Sequence, residues 1–152
     1  MSIPVASPPL DEITTALLDL FGLTGRTVYD GDYDGDPVKP AYPYAVLYSI
    51  PGGSADPMPD LDKRGDEVTA SWQVSCVSNY RNQAQQLARA CHDLVAARTG
   101  PGSGWAYPIA VPAPWTCTDR TAEQPAGVIR TGQTPNAIFT APLRFTLTIA
   151  PA

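Results

Sequence analysis

The chain has one histidine, His92, and only three cysteines, Cys76, Cys91 and Cys117, in 152 residues. Each scarcity removes a class of function. An odd number of widely spaced thiols builds no disulfide framework, so free thiols buried in a reducing cytosol are expected. A zinc site needs about four clustered Cys and His ligands, and the sequence has no such cluster. Basic residues are outnumbered, ten Lys and Arg against fifteen Asp and Glu, for a formal net charge of −5. That leaves no basic stripe for duplex phosphates. An acidic wall would instead let DNA slide past, since like charges repel within a Debye length of about 8–10 Å. No run approaches eighteen apolar residues, and the opening MSIPVASPPL has no basic n-region, so a soluble protein without export signal or membrane contact is expected. The sequence also lacks G-x-S-x-G, the Walker-type G-x-x-x-x-G-K, H-E-x-x-H and a G-x-G-x-x-G following a strand. Neither an enzyme nor a cofactor is expected.

What is present is periodicity. EVTASWQVSCV, residues 67–77, places Val68, Ala70, Trp72, Val74 and Cys76 on one strand face and Glu67, Thr69, Ser71, Gln73 and Ser75 on the other. The period then changes to that of a helix over 79–97, with Ala84, Leu87, Ala88, Cys91, Leu94 and Val95 on one stripe. A first helix is predicted over 9–21, entered through Pro8 and Pro9, with Asp11 and Glu12 at the positive end of its dipole and Ile13, Leu17, Leu20 and Phe21 as its apolar stripe. Residues 27–30 and 43–50 read as strands, the second with Tyr44, Val46, Tyr48 and Ile50 alternating. Residues 109–111 and 115–118 read as brief edge strands among prolines, 128–131 as a short partner, and 137–150 as a long alternating strand bent near Pro142. No repeat and no composition break divides the chain. The expected architecture is one α+β domain over 1–152, a mostly antiparallel sheet with two helices on one face, preceded by an extended arm over 1–9.

Several constellations invite chemical readings. Asp30, Asp32, Asp34 and Gly35 open like a calcium loop, D-x-D-x-D-G, but the twelfth position is Ala41 where a bidentate glutamate is needed, and Pro37 and Pro40 stiffen the path. A solvated acidic turn is the expectation. Cys91 and His92 are neighbours, yet adjacent helical side chains diverge by about 100° and cannot exchange a proton. GPGSG at 100–104 follows a helix and has no lysine, so it reads as a linker. Loop 51–65 is long for a strand connection and becomes a contact candidate through Asp56, Asp60, Asp62, Lys63 and Arg64. On the outer face of the second helix, Arg81, Gln85, Gln86, Arg89 and Asp93 are solvated or edge a subunit contact. Trp72, Trp105, Trp115 and Tyr107 could instead surround a pocket, which would make the chain a small ligand-binding or hydrolytic domain.

The order of elements resembles that of the tail terminator (tail completion) proteins of long-tailed, non-contractile bacteriophages. An N-terminal helix over 11–21, the strand entry Tyr42, Pro43, Tyr44, the strand EVTASWQVSCVS, its helix NQAQQLARACHDLVAA and the closing strand FTAPLRFTLTI carry the likeness. The Pro/Gly-rich stretch 99–125 departs from it. The resemblance implies a structural virion protein that forms a homo-oligomer, a hexameric ring on the finished tail tube, stops tube polymerisation and offers its other face to the head-tail connector protein. DNA would pass through the lumen without specific binding, and the protein would be made in the host cytoplasm and reside in the tail neck. A related head-tail connector or minor tail protein is the neighbouring alternative. Local reading supplies the contact candidates: Ile3 and Val5 in the arm with Arg81, Gln85 and Arg89 as oligomer interface, and the charged residues of loop 51–65 as a tube or lumen contact.

Overall fold

A computed structural model of the protein describes residues 8–51, 67–100, 104–124, 127–133 and 135–151. Helix α1 spans Leu10–Phe21, with Pro9 at its N-cap and Asp11 and Glu12 in its first turn, where the dipole favours negative charge. A 3₁₀ turn, Gly22–Thr24, ends on Gly25 at φ 76°, a left-handed conformation that suits glycine. Strand β1, Val28–Asp30, follows, and residues 31–43 carry the chain to β2, Tyr44–Ile50. Strand β3, Val68–Ser78, runs through two residues into helix α2, Arg81–Ala96. At that junction the buried Ser78 hydroxyl donates to Gln83 Oε1 (2.8 Å) and accepts from Tyr80 N–H (3.2 Å). The remaining strands are β4, Trp115–Ala122, β5, Ile129–Thr131, and β6, Ile138–Pro151.

The strands form one six-stranded sheet in the order β1-β2-β3-β6-β4, with β5 also on β6. All pairings are antiparallel except β1 with β2. Parallel neighbours need a crossover of about a dozen residues, which 31–43 supplies. The β3–β6 pairing keeps one register from Val68↔Ile149 to Ser78↔Phe139, across Pro142. Pro142 is tolerated for a reason visible in the ladder. Arg144 C=O accepts from Glu123 N–H on the β4 side, and alternate residues of a strand point their backbone groups the same way. The donor that Pro142 lacks would thus face the gap between β4, which reaches Phe145, and β5, which begins opposite Thr140.

This register places Trp72 beside Phe145, Val74 beside Leu143 and Cys76 beside Ala141 on one face, and both helices pack there as a single buried cluster. Phe21 of α1 meets Phe145 edge-on at 5.6 Å, while Trp72 stacks on Phe145 at 6.0 Å. The indole N–H of Trp72 donates to Thr14 Oγ1 at 3.0 Å, and that hydroxyl bonds back to Leu10 C=O at 2.8 Å. A mid-helix threonine, a weak helix former, is thereby the polar partner a buried tryptophan requires. Helix α2 has no basic residue in its last turn. Arg120 of β4 fills that role: only 8% exposed, it donates to Tyr107 C=O at 2.7 Å, lies 3.5 Å from Val95 C=O and sits 5.1 Å over the Trp105 ring.

The structure corrects three expectations. Strand β2 exists, but its core face is Ala45 and Leu47, both fully buried, and Tyr44, Val46, Tyr48 and Ile50 lie on the opposite side; the pairs Ala45↔Cys76 and Leu47↔Val74 decide this. Residues 109–111 form no strand, because Pro108 and Pro112 flank them without backbone donors; Ile109 and Val111 nevertheless pack against the core. The edge strand predicted over 115–118 extends to Ala122 through a bulge between Cys117 and Asp119.

Trp72→Ala should cost about 3–5 kcal/mol and lower Tm by roughly 10 °C or more, as read by thermal denaturation. Thr14→Val, which leaves the indole N–H without its partner, should cost about 1–3 kcal/mol.

Candidate functional site

Side chains that alternate away from the helices give the sheet a second face on which neither helix packs. Its centre is a layer of polar groups bonded across strands. Ser71 Oγ and Thr146 Oγ1 are 2.8 Å apart, Arg144 Nε donates to Gln73 Oε1 at 3.1 Å, and Gln73 Nε2 donates to the Tyr48 hydroxyl and to Ser75 Oγ, the latter at 3.0 Å. The partners face each other because β2, β3 and β6 are in register there, as in Tyr48↔Gln73, Gln73↔Arg144 and Ser71↔Thr146. Bonding to one another holds these side chains in place before anything approaches.

At the Tyr44 end of the face the crossover 31–43 builds an aromatic cluster. Tyr29 of β1 and Tyr44 of β2 meet Tyr33 and Tyr42 of the crossover, with ring centroids 5.0 Å apart for Tyr29–Tyr33, 4.6 Å for Tyr33–Tyr44 and 5.8 Å for Tyr42–Tyr44. Gly35 lies beneath them: a Cβ there would lie 2.5 Å from the Tyr33 hydroxyl and 2.8 Å from that of Tyr29, so a side chain would displace these rings. The Tyr33 hydroxyl donates to Asp36 C=O at 2.7 Å, pinning the ring. Partial burial, with the neighbouring phenols adding to it, pushes the Tyr33 and Tyr44 hydroxyls above their ordinary value. Tyr33, Tyr42 and Tyr44, with Pro37, Pro40 and Asn136, wall a groove of about 510 Å³. Rings and prolines offer broad apolar contact with a few hydroxyl and amide groups, a chemistry compatible with extended backbone.

The sequence candidates fall in several places. The carboxylates of Asp30, Asp32 and Asp34 form no ligand group; among the described residues no three His, Cys, Asp or Glu side chains are placed to hold a metal ion. Asp32 and Asp36 instead accept backbone N–H bonds from Tyr33 and Val38 at 2.8 and 2.9 Å, which shapes the turn. Arg81, Gln85 and Arg89 are exposed along α2, and Gln85 and Arg89 line a groove of about 380 Å³ with His92, Asp93 and Gln124. Ile3, Val5, Asp56, Asp60, Asp62, Lys63 and Arg64 lie outside the described residues. The aromatic pocket of Trp72, Trp105, Trp115 and Tyr107 does not form: Trp72 is core, Trp115 is buried on the edge strand, and Trp105 lies under Arg98 and Arg120. Cys91 faces Cys76, not His92. Bonding between the two thiols, then burial, pushes Cys76 far above a normal thiol pKa, while His92 Nδ1 lies 3.4 Å from Asp93 Oδ1. Sequence reasoning missed the tyrosine cluster. Its only signal was four tyrosines in sixteen residues, 29–44, and nothing local showed that a parallel crossover would fold two of them onto the other two.

Iodoacetamide should leave Cys76 and Cys91 unmodified in the folded chain and label all three thiols in urea, as mass spectrometry would show. In an alkaline titration followed by phenolate absorbance, Tyr33 and Tyr44 should ionise above the ordinary 10.0. Above that pH the unfolded chain has released those protons while the fold still holds them, so stability falls as pH rises. Replacing both tyrosines with Phe should flatten that loss. No protein-family model matches the sequence, and none of the curated proteins compared with it matches it either.

Proposed function

We propose that this chain is a tail-terminator-like structural protein that closes into a ring, with six copies the expected number, on the end of a completed phage tail tube. There it halts tube growth and presents its other side to the head-tail connector protein. A tube polymerises because one side of each ring is complementary to the opposite side of the next; a terminator copies one of those surfaces and omits the other.

The observation that carries the reading is the division of the surface. Both helices cover one sheet face, and the other is left as a layer of side chains already bonded among themselves. Such a face suits apposition to another protein or a lumen wall, because its polar groups need not reorganise on contact. A ring closed by heterologous contacts also needs two unlike patches on each copy. The chain exposes two unlike patches, the polar stripe Arg81, Gln85, Arg89 and the tyrosine groove. The net charge of −5 fits a passage that DNA crosses without binding. The place of action under this reading is the tail neck of the virion, after synthesis in the host cytoplasm.

Light scattering on the full chain, and negative-stain microscopy of the chain mixed with growing tail tubes, test this directly. Rings, at one tube end, with tube length frozen on addition, are the expected result, together with no gel shift of duplex DNA at physiological salt. A chain that stays monomeric and never decorates a tube end would sink the reading. Capture of the connector but not of the tube protein would move it to the neighbouring joining role.

A further inference from the structure

We propose that the tyrosine groove is the seat of the proline-containing segment around Ile3, Pro4 and Val5 donated by a second copy of this chain. The inference rests on the self-assembly proposed above and names the contact that would link adjacent copies.

The groove is walled by Tyr33, Tyr42 and Tyr44 with Pro37 and Pro40. Surfaces of this kind hold extended, proline-type backbone, whose low conformational freedom reduces the entropy lost on docking. Asn136 on the rim offers an amide to the unpaired carbonyls of such a segment. The chain itself carries a matching stretch in Ser2, Ile3, Pro4 and Val5. Residues 1–10 carry no acidic side chain, so this segment brings no like charge to Asp32, Asp34 and Asp36, sequence neighbours of the groove residues Tyr33 and Pro37.

Its own copy is out of reach. Leu10 and Asp11 share a groove with Ser49, Ile50 and Val68, which puts the entry of α1 at the Ile50 end of β2. The tyrosine groove is at the other end, with Tyr44 and Asn79. At ~3.3 Å per residue, the six steps from Tyr44 to Ile50 separate the two by about 20 Å. Pro4, four residues before Pro8, spans at most about 14 Å from it when fully extended. In addition α1 packs on the core face, whereas Tyr44 belongs to the opposite face. A neighbour in a closed ring removes both obstacles, and each copy then gives one segment and receives one.

The test uses full chains carrying one new cysteine each. Ser2→Cys protein mixed with Asn136→Cys protein under mild oxidation should yield a disulfide-linked pair containing one of each, while Ser2→Cys mixed with Thr121→Cys, exposed on the far edge strand β4, should not. Tyr42→Ala should cut the yield by about tenfold, the loss of about one good contact. Should that variant fold poorly, Pro4→Gly with Ile3→Ser should produce the same drop. A chain bearing both Ser2→Cys and Asn136→Cys that links only to itself overturns the proposal, as does a yield equal to the β4 control. Light scattering and microscopy on the same samples separate the two ideas. Rings without the cross-link reject the docked segment alone, and cross-linked pairs that never cap tubes reject the terminator reading while the docking stands.

Discussion

The long ladder between β3 and β6 governs the rest of the molecule. Its single register, from Val68↔Ile149 to Ser78↔Phe139, decides at every position which side chain lies under the helices and which faces away. A slip of one residue would turn Trp72 and Phe145 outward and bring Gln73 and Arg144 inward. The burial of Trp72, Val74, Leu143, Phe145 and Leu147 makes that slip prohibitive. The neighbouring strands inherit the choice, β2 through Leu47↔Val74 and β4 through Ala122↔Phe145.

From this choice the two faces acquire different characters. On the core side the few polar groups are tied in place: Thr14 serves Trp72, Ser78 serves the turn into α2, and Arg120 ties the end of α2 to the irregular segment at Tyr107. Arg120 Nε has no hydrogen-bond partner among the described residues. That guanidinium is held by packing on Trp105 and by carbonyls, which act on a cation as a helix C-terminus does. On the open side the polar groups serve one another, through hydroxyl and amide pairs across the strands.

The tyrosine groove shows how topology adds to this. A parallel neighbour for β2 obliges the chain to cross from one end of the sheet to the other, and here the crossing segment carries Tyr33, Gly35 and Tyr42. Gly35 lets two rings close over the backbone where a side chain would displace them. Asp32, one of the acidic residues that suggest a cation loop in one dimension, serves with Asp36 as a turn former in three.

By itself, the sequence determined the elements that rest on period. Strict alternation in β3 and β6 and the 3.6-residue stripes of α1 and α2 are local geometry, and they carry the expectation of two helices on a sheet. The scarcity of histidine and the spacing of the thiols were equally legible. Only the tertiary structure decided the inward face of β2, because YAVLYSI is apolar on both sides at most positions and its period cannot say which side is buried. The same holds for the parallel crossover, the gathering of Tyr29, Tyr33, Tyr42 and Tyr44, and the reach of Arg120 to the end of α2. Each of these joins residues far apart along the chain or across a loop, and no local pattern of side chains encodes a pairing that strand register alone brings about.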